Sequence, residues 1–381
     1  MKLKSLLKGI TGLILSCSLF TACSSRPGFN ALPQLMPNNF YMAMSTPVQP
    51  VANGLAKFIA QDGSHTLYIE PQAGIIPILE AVKNARTSVD IQVYMLTMRD
   101  LIEELINAAK RNVKVRLILE KEPFNPSDPA NPLTINIDTQ KKFEEAGVLN
   151  KGLWITWSNK QAFTFTHQKS IIIDGKIGYI MSLNLSYSAV VKNREYFIAD
   201  TRPAIVNEMK KIFEADWNYK PYTVGNTNLV ISPINSRKQL ESLIVSSKKN
   251  LSLGFEVTSD PHIINLLIEK FKAGVKVNLM LGHQNYSNVK TAKQLSASGF
   301  NNVRFLEEPF LHGKIIISDN KAYIGSINLT TNSMERNREL GIILTDNILV
   351  NALKSSYDED FTQRAHPLQE QNGVTTDEEN K

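Results

Sequence analysis

The chain contains the same unit twice, and that duplication limits its fold more than any other feature. Ile102, Leu105, Ile106 and Ala109 recur at i, i+3, i+4 and i+7, the spacing of an amphipathic helix face, and a strand-like run, Val113–Leu119, follows. A shift of 162 residues puts Ile264, Leu267, Ile268 and Phe271 in the same places, followed by Val275–Leu281. Upstream, Ser88–Met95 and Asn250–Val257 are both rich in strand-forming residues. Two strand-helix-strand units predict an α/β chain with two similar halves, 57–220 and 226–362, joined by Lys220–Gly225. With 381 residues, 43% hydrophobic and 20% charged, the chain has room for two such cores, and general disorder, collagen and a multi-span membrane protein are excluded.

The ends have a different character. Lys2, Lys4 and Lys8 lead into the apolar run Ile10–Phe20 and then Thr21-Ala22-Cys23, the three parts of a secretory signal over 1–22. Leu19-Phe20-Thr21-Ala22-Cys23 resembles the lipobox of bacterial lipoproteins, with Phe20 where Leu is usual. The resemblance implies cleavage before Cys23, its acylation, and export to the cell envelope with a lipid anchor, facing the periplasm or in the outer membrane. The alternative is an ordinary thiol at Cys23 after conventional cleavage. Cys17 would leave with the signal, so the mature chain has one cysteine and no intrachain disulfide. Losing the signal also leaves 39 basic against 36 acidic residues, a bias too weak to name a partner. Residues 23–56, with five prolines, read as a flexible tether, and 363–381 as a disordered polar tail.

The repeat carries polar residues as well as apolar ones. His167-Gln-Lys169-Ser-Ile-Ile-Ile-Asp174 and His312-Gly-Lys314-Ile-Ile-Ile-Ser-Asp319 both fit His-x-Lys-x4-Asp. Each is followed by Ser-x-Asn (Ser182, Asn184; Ser326, Asn328) and by Asn-Arg-Glu ending at Glu195 and Glu339, with 11 residues from the first Asn to the Glu in both halves. One such motif is weak; two in register with a repeat are not accidental.

Here the chain resembles the phospholipase D superfamily, whose signature is this duplicated motif, over about residues 57–362. The resemblance implies two pseudosymmetric α/β/α sandwich halves packed together with one active site between them, acting without metal or other cofactor. A metal site within the motifs is also disfavoured chemically, because each alternates His with a cationic Lys. A phosphodiester needs its charge neutralised, an attacking atom, and a proton for the leaving oxygen on the opposite face. One imidazole attacks phosphorus and the other donates a proton, then takes one from water or alcohol. A pseudosymmetric pair does not say which attacks; the resemblance favours His167.

Lys169 and Lys314 lie two residues after their histidines and so on the same side of an extended strand. With Asn184 and Asn328 they would hold the phosphoryl oxygens, and Ser182 and Ser326 would add further polar contacts to the phosphate. Glu195 and Glu339 would partner the imidazole Nδ1–H groups. Asp174 and Asp319 complete the catalytic signature, and the resemblance gives them a backbone-supporting role. Met181, where the family usually has Gly, is expected to narrow the first half of the pocket. His65, His262, His283 and His366 read as ordinary surface or core histidines.

The first half has 17 extra residues before its motif, including the proline-spaced run Glu122–Leu133, which suits a stiff loop near the site. Phe163, Phe165, Phe310 and Leu311 precede the histidines and suit either an apolar mouth or ordinary packing. The leading expectation is a hydrolase of the phospholipase D type on phospholipid at a membrane surface. The alternatives are a cardiolipin synthase-like phosphatidyltransferase or a metal-independent envelope endonuclease, with a non-catalytic binding module third. A nuclease needs a basic track, and Lys141, Lys142, Lys248 and Lys249 do not form one stripe. Two motifs in one chain leave a monomer sufficient for a complete site.

Overall fold

The strands pair into two sheets with the same internal order. This is seen in a computed structural model that describes residues 56–368 apart from 126, 226, 227 and 284. The expected signal, Cys23 and nearly all of the tether lie outside the described residues.

The first sheet contains β1 (Lys57–Ile59), β2 (His65–Glu70), β3 (Ser88–Val93), β4 (Lys114–Leu119), β5 (Leu153–Trp157), β6 (Lys169–Ile173), β7 (Ile177–Met181) and β8 (Asn193–Asp200). The second contains β9 (Leu229–Ser232), β10 (Asn250–Phe255), β11 (Lys276–Gly282), β12 (Val303–Leu306), β14 (Lys314–Ser318), β15 (Lys321–Gly325) and β16 (Glu339–Leu344), while β13 (Phe310–Leu311) pairs with β8 of the first. Read across, β5-β4-β3-β6-β7-β8-β2 corresponds strand for strand to β12-β11-β10-β14-β15-β16-β9. In each sheet the three strands at one side are parallel, joined by helical crossovers, and the other strands are antiparallel apart from the short parallel β13–β8 pairing. The motif strands β6 and β14 are central and buried on both faces, which is why each reads as an unbroken aliphatic run rather than an alternation.

Three apolar cores separate the layers. Helices Ile76–Lys83 and Arg99–Lys110 bury Ile78, Val82, Leu101 and Leu105 on the outer face of the first sheet. Helices Ser236–Ser246, Pro261–Lys272 and Tyr286–Ala297 do the same for the second. Between the sheets, Ile172 and Ile198 meet Ile315 and Ile342 together with helices Pro203–Trp217 and Asn347–Glu359. The mixed α/β architecture of two similar halves is thus the one anticipated from the repeat. No helix among the described residues is long and apolar enough to cross a membrane.

Two expectations fail in detail. The tail does not start at 363: a π-helical turn runs over Asp360–Arg364, and His366 exchanges backbone hydrogen bonds with Phe305 at 2.7 and 3.0 Å. That pairing covers the outer edge of β12, whose backbone would otherwise present unpaired groups. Met181 does not narrow the pocket, since it is fully buried in the core of the first half. At the matching place in the second half, Tyr323 lies across Gly325 and Gly341, where a Cβ would come within 2.5 and 2.2 Å of it. Met181 and Phe197, paired across β7 and β8, supply that volume in the first half, where Tyr179 instead reaches Pro77 O.

Candidate active site

Each motif histidine is held by the other half of the chain. The β13–β8 pairing, at the start of β8, and an isolated bridge between Thr166 and Arg338 link the two packed sheets where the motif histidines stand. The amides of His312 and Gly313 donate to Arg194 O at 3.3 and 2.8 Å, and those of His167 and Gln168 to Arg338 O at 2.9 and 2.8 Å. The next residue in each case then turns its carboxylate to the ring. Glu195 Oε1 lies 2.5 Å from His312 Nδ1, and Glu339 Oε2 lies 2.9 Å from His167 Nδ1. The partnership is crossed, so neither half contains a complete His–Glu pair.

The motif charges share one environment. Burial first, then Lys169, holds the His167 imidazole below its ordinary value, and Lys314 from the other half acts in the same direction. Burial, then Lys314, brings the Lys169 ammonium down to about 7. Although burial alone would raise them, His167 and Lys169 keep the Glu339 carboxyl below its usual range, and His312 and Lys314 do so for Glu195. His167 at rest is therefore a neutral ring donating to an ionised Glu339. Both imidazole side chains keep 12% exposure, while their glutamate partners are fully buried.

The remaining expected residues divide into three groups. Lys169 Nζ donates to His167 O at 2.6 Å and sits 5.5 Å over the Tyr94 ring. Asn184 is nearly buried and its Oδ1 has no hydrogen-bond partner among the described residues, whereas Asn328 Nδ2 donates to Glu256 at 3.1 Å. Ser182 and Ser326 do not face a phosphate. Both are fully buried, Ser182 bonded to Glu195 at 2.5 Å and to Tyr196, Ser326 to Leu340. Ser182 thus orients a carboxylate, and Ser333 does the same for Glu339. Asp174 and Asp319 lie past the far ends of β6 and β14 and accept from the backbones of Arg86, Thr87 and Ser88, and of Lys248, Lys249 and Asn250. They tie strand ends together rather than meeting the reacting groups.

Several contributors were not anticipated. Arg194 pairs with Asp360 at 2.6 Å and Arg338 with Asp216 at 2.6 Å, both pairs buried, fixing the carbonyls on which the histidines hang. The 144-residue shift that relates Glu195 to Glu339 also relates Asp216 to Asp360, so this signal was present in the sequence. Tyr94 stands edge-on to His167 at 5.0 Å with Phe165 beside both, and its hydroxyl accepts from Phe124 N at 2.6 Å, which ties the proline-spaced loop to the site. Phe163 packs under Arg338 and Leu311 is core; Phe165 stands beside His167 and Tyr94, and Phe124, whose amide reaches Tyr94, is exposed. Glu256 contacts Lys314 at 2.6 Å and lies 3.5 Å from His312 Nε2. The described residues that could hold a metal ion are His283, Glu307 and His366, whose ligand atoms lie within 4.8 Å of one another, and no motif residue belongs to that group.

Two histidines, two lysines and two glutamates from the duplicated motifs gather at one sheet junction, the arrangement that the duplicated signature led one to expect. The chain belongs to the family described as "Cardiolipin synthase, PLD-like domain", which matches residues 78–217 and 240–364. It is similar to cardiolipin synthase 2 of Staphylococcus epidermidis, 22% identical over 361 residues, with 82% of this chain and 71% of that protein covered. It is likewise similar to cardiolipin synthase 1 of Staphylococcus aureus, 24% identical over 324 residues, covering 75% and 65%. Its fold resembles the phosphatidylserine synthase of Haemophilus influenzae (TM-score 0.62, 12% identity, 82% of this chain and 89% of that one). The polyphosphate kinase of Porphyromonas gingivalis is similar in fold too (TM-score 0.62, 15% identity, 88% and 54%).

Proposed function

We propose that this enzyme transfers a phosphatidyl group between alcohols, as a cardiolipin synthase-like phosphatidyltransferase, and that hydrolysis is its side reaction. The crossed His–Glu pairing carries the reading, because it turns two distant motifs into one nucleophile and one acid on a shared anion site. The family description and the cardiolipin synthase names of the relatives favour transfer over the hydrolase expectation. The aromatic wall of Tyr94, Phe165 and Phe124 suits acyl glycerol.

In this mechanism neutral His167 attacks phosphorus through Nε2, forming a P–N bond as the P–O bond to the departing alcohol breaks. His312, with carboxylates facing both ring nitrogens, delivers the proton to that oxygen. It then accepts a proton from the incoming hydroxyl, whose oxygen attacks phosphorus and releases His167. Lys169 and Asn184 neutralise and bond the phosphoryl oxygens. The proposal includes export and acylation of Cys23, which would keep the site at a lipid surface; several acyl chains anchor stably where one holds only marginally.

The test is incubation of the full chain with phosphatidylglycerol vesicles in EDTA, alongside single-stranded DNA. Cardiolipin with free glycerol is expected. Phosphatidic acid as the sole lipid product would return the enzyme to the hydrolases, and DNA cleavage without lipid turnover would overturn the lipid reading. In cells, Cys23→Ala should abolish fatty-acid labelling and release the protein from the membrane fraction; unchanged labelling would refute the anchor.

A further inference from the structure

The halves diverge at one equivalent position beside the reacting groups. The 162-residue shift sets Tyr94 against Glu256, each directly after the strand that flanks its motif strand. Tyr94 offers Lys169 only a ring face. Glu256 instead accepts from Lys314 Nζ at 2.6 Å and Asn328 Nδ2 at 3.1 Å, and its carboxylate is 3.5 Å from His312 Nε2. Those three donors are the ones that a phosphoryl oxygen would use in the second half. Among the described residues, Lys169 meets no carboxylate within ion-pair distance, so the first half keeps its ammonium for a ligand, beside an Asn184 amide whose Oδ1 has no partner. The pseudosymmetric cradle therefore has one side already matched by an anion of the protein itself.

We propose that Glu256 is a charge filter that selects monoanionic phosphodiesters against dianionic phosphate groups, by neutralising Lys314 and leaving Lys169 and Asn184 to hold the phosphoryl oxygens. The inference rests on the phosphodiester reading of the site and deepens it by naming the charge state of the group that it accepts. A second negative charge about 5 Å from the carboxylate, at an effective dielectric near 20, weakens binding on the order of a hundredfold. The His312 side then receives the uncharged alcohol oxygen, where a proton is exchanged and a further anion would be repelled. A site for phosphomonoesters or polyphosphate would have no use for a carboxylate there.

The full chain is titrated calorimetrically at pH 7 with diphenyl phosphate, a monoanion, and phenyl phosphate, predominantly a dianion, in the wild type and in Glu256→Gln. Gln keeps the volume and an acceptor for Lys314, so the charge alone is removed. The wild type is expected to prefer the diester, and Glu256→Gln to tighten phenyl phosphate at least tenfold more than diphenyl phosphate. An equal change for both ligands, or none, would overturn the filter. Glu256→Tyr, which copies the first half, is the second variant if Gln does not fold, with the same outcomes deciding. If the wild type binds neither anion and does not turn over bis(p-nitrophenyl) phosphate, the phosphodiester reading itself fails; if it does both and the ratio is unmoved, only the filter fails.

Discussion

Replacing Glu339 and Glu195 in turn by Gln separates the two histidines, because the crossed geometry assigns each carboxylate to one of them. Phosphorylation of His167 puts positive charge on a ring whose Nδ1 is 2.9 Å from Glu339 Oε2, with that carboxylate fully buried. At about 4 Å between charge centres and an effective dielectric near 20, the attraction is about 4 kcal/mol. Gln retains an acceptor, so this is an upper bound, and Glu339→Gln should slow phosphoenzyme formation by about 10²–10³-fold. Glu195→Gln instead weakens the support of His312, the group that must take a proton from the incoming alcohol, and phosphoenzyme should accumulate. The assay is rapid mixing with labelled phosphatidylglycerol and an alkaline quench, under which phosphohistidine survives. Accumulation in Glu339→Gln with none in Glu195→Gln would reverse the roles, and accumulation at the wild-type rate in both would refute electrostatic support by the carboxylates.

Three further outcomes follow from the charges around the site. Lys169 carries its charge below its folded value of about 7 and loses it above, so kcat/KM should fall as pH rises through that region, while kcat, read with the phosphodiester bound, should hold to higher pH. The folded chain then binds fewer protons than the unfolded one between about 7 and the ordinary lysine value, so Lys169→Met should abolish turnover and raise the free energy of urea unfolding at pH 7 by on the order of a few kcal/mol; an unchanged or lower unfolding free energy would contradict the burial cost. Arg338→Met leaves buried Asp216 without its guanidinium partner and should cost about 3–5 kcal/mol in urea unfolding, with most of the loss recovered in the double variant Arg338→Met, Asp216→Leu. Equal losses in the single and double variants would show that the pair is not the cause.

Much of this site was legible in the order of residues, and the exceptions share a physical origin. The histidines, lysines and glutamates were readable because duplication repeats them at a fixed offset beside strands and helices with their own periodicity. Asp216 and Asp360 follow the same offset but sit at helix ends without a motif around them, so only their pairing with Arg338 and Arg194 reveals them. Ser182 and Ser326 were misassigned because a hydroxyl two residues from a phosphate-binding Asn lies near the site, and alternation along the chain does not reveal whether it faces ligand or carboxylate. Met181 was misread for a related reason: a departure at one position was judged without Phe197 and Tyr179, which fill the same volume. Glu256 escaped notice because it breaks the repeat that made the other residues visible.

Local pattern by itself determined that there are two like halves, each built on strand-helix-strand units, and that each brings a histidine, a lysine and a glutamate. Periodicity and spacing are properties of the chain as a line, and burial of an apolar face follows from them directly. Which glutamate serves which histidine was decided only in three dimensions. It depends on β13 joining β8 and Thr166 meeting Arg338, contacts between segments more than a hundred positions apart whose closure reflects the packing of two sheets around a shared core.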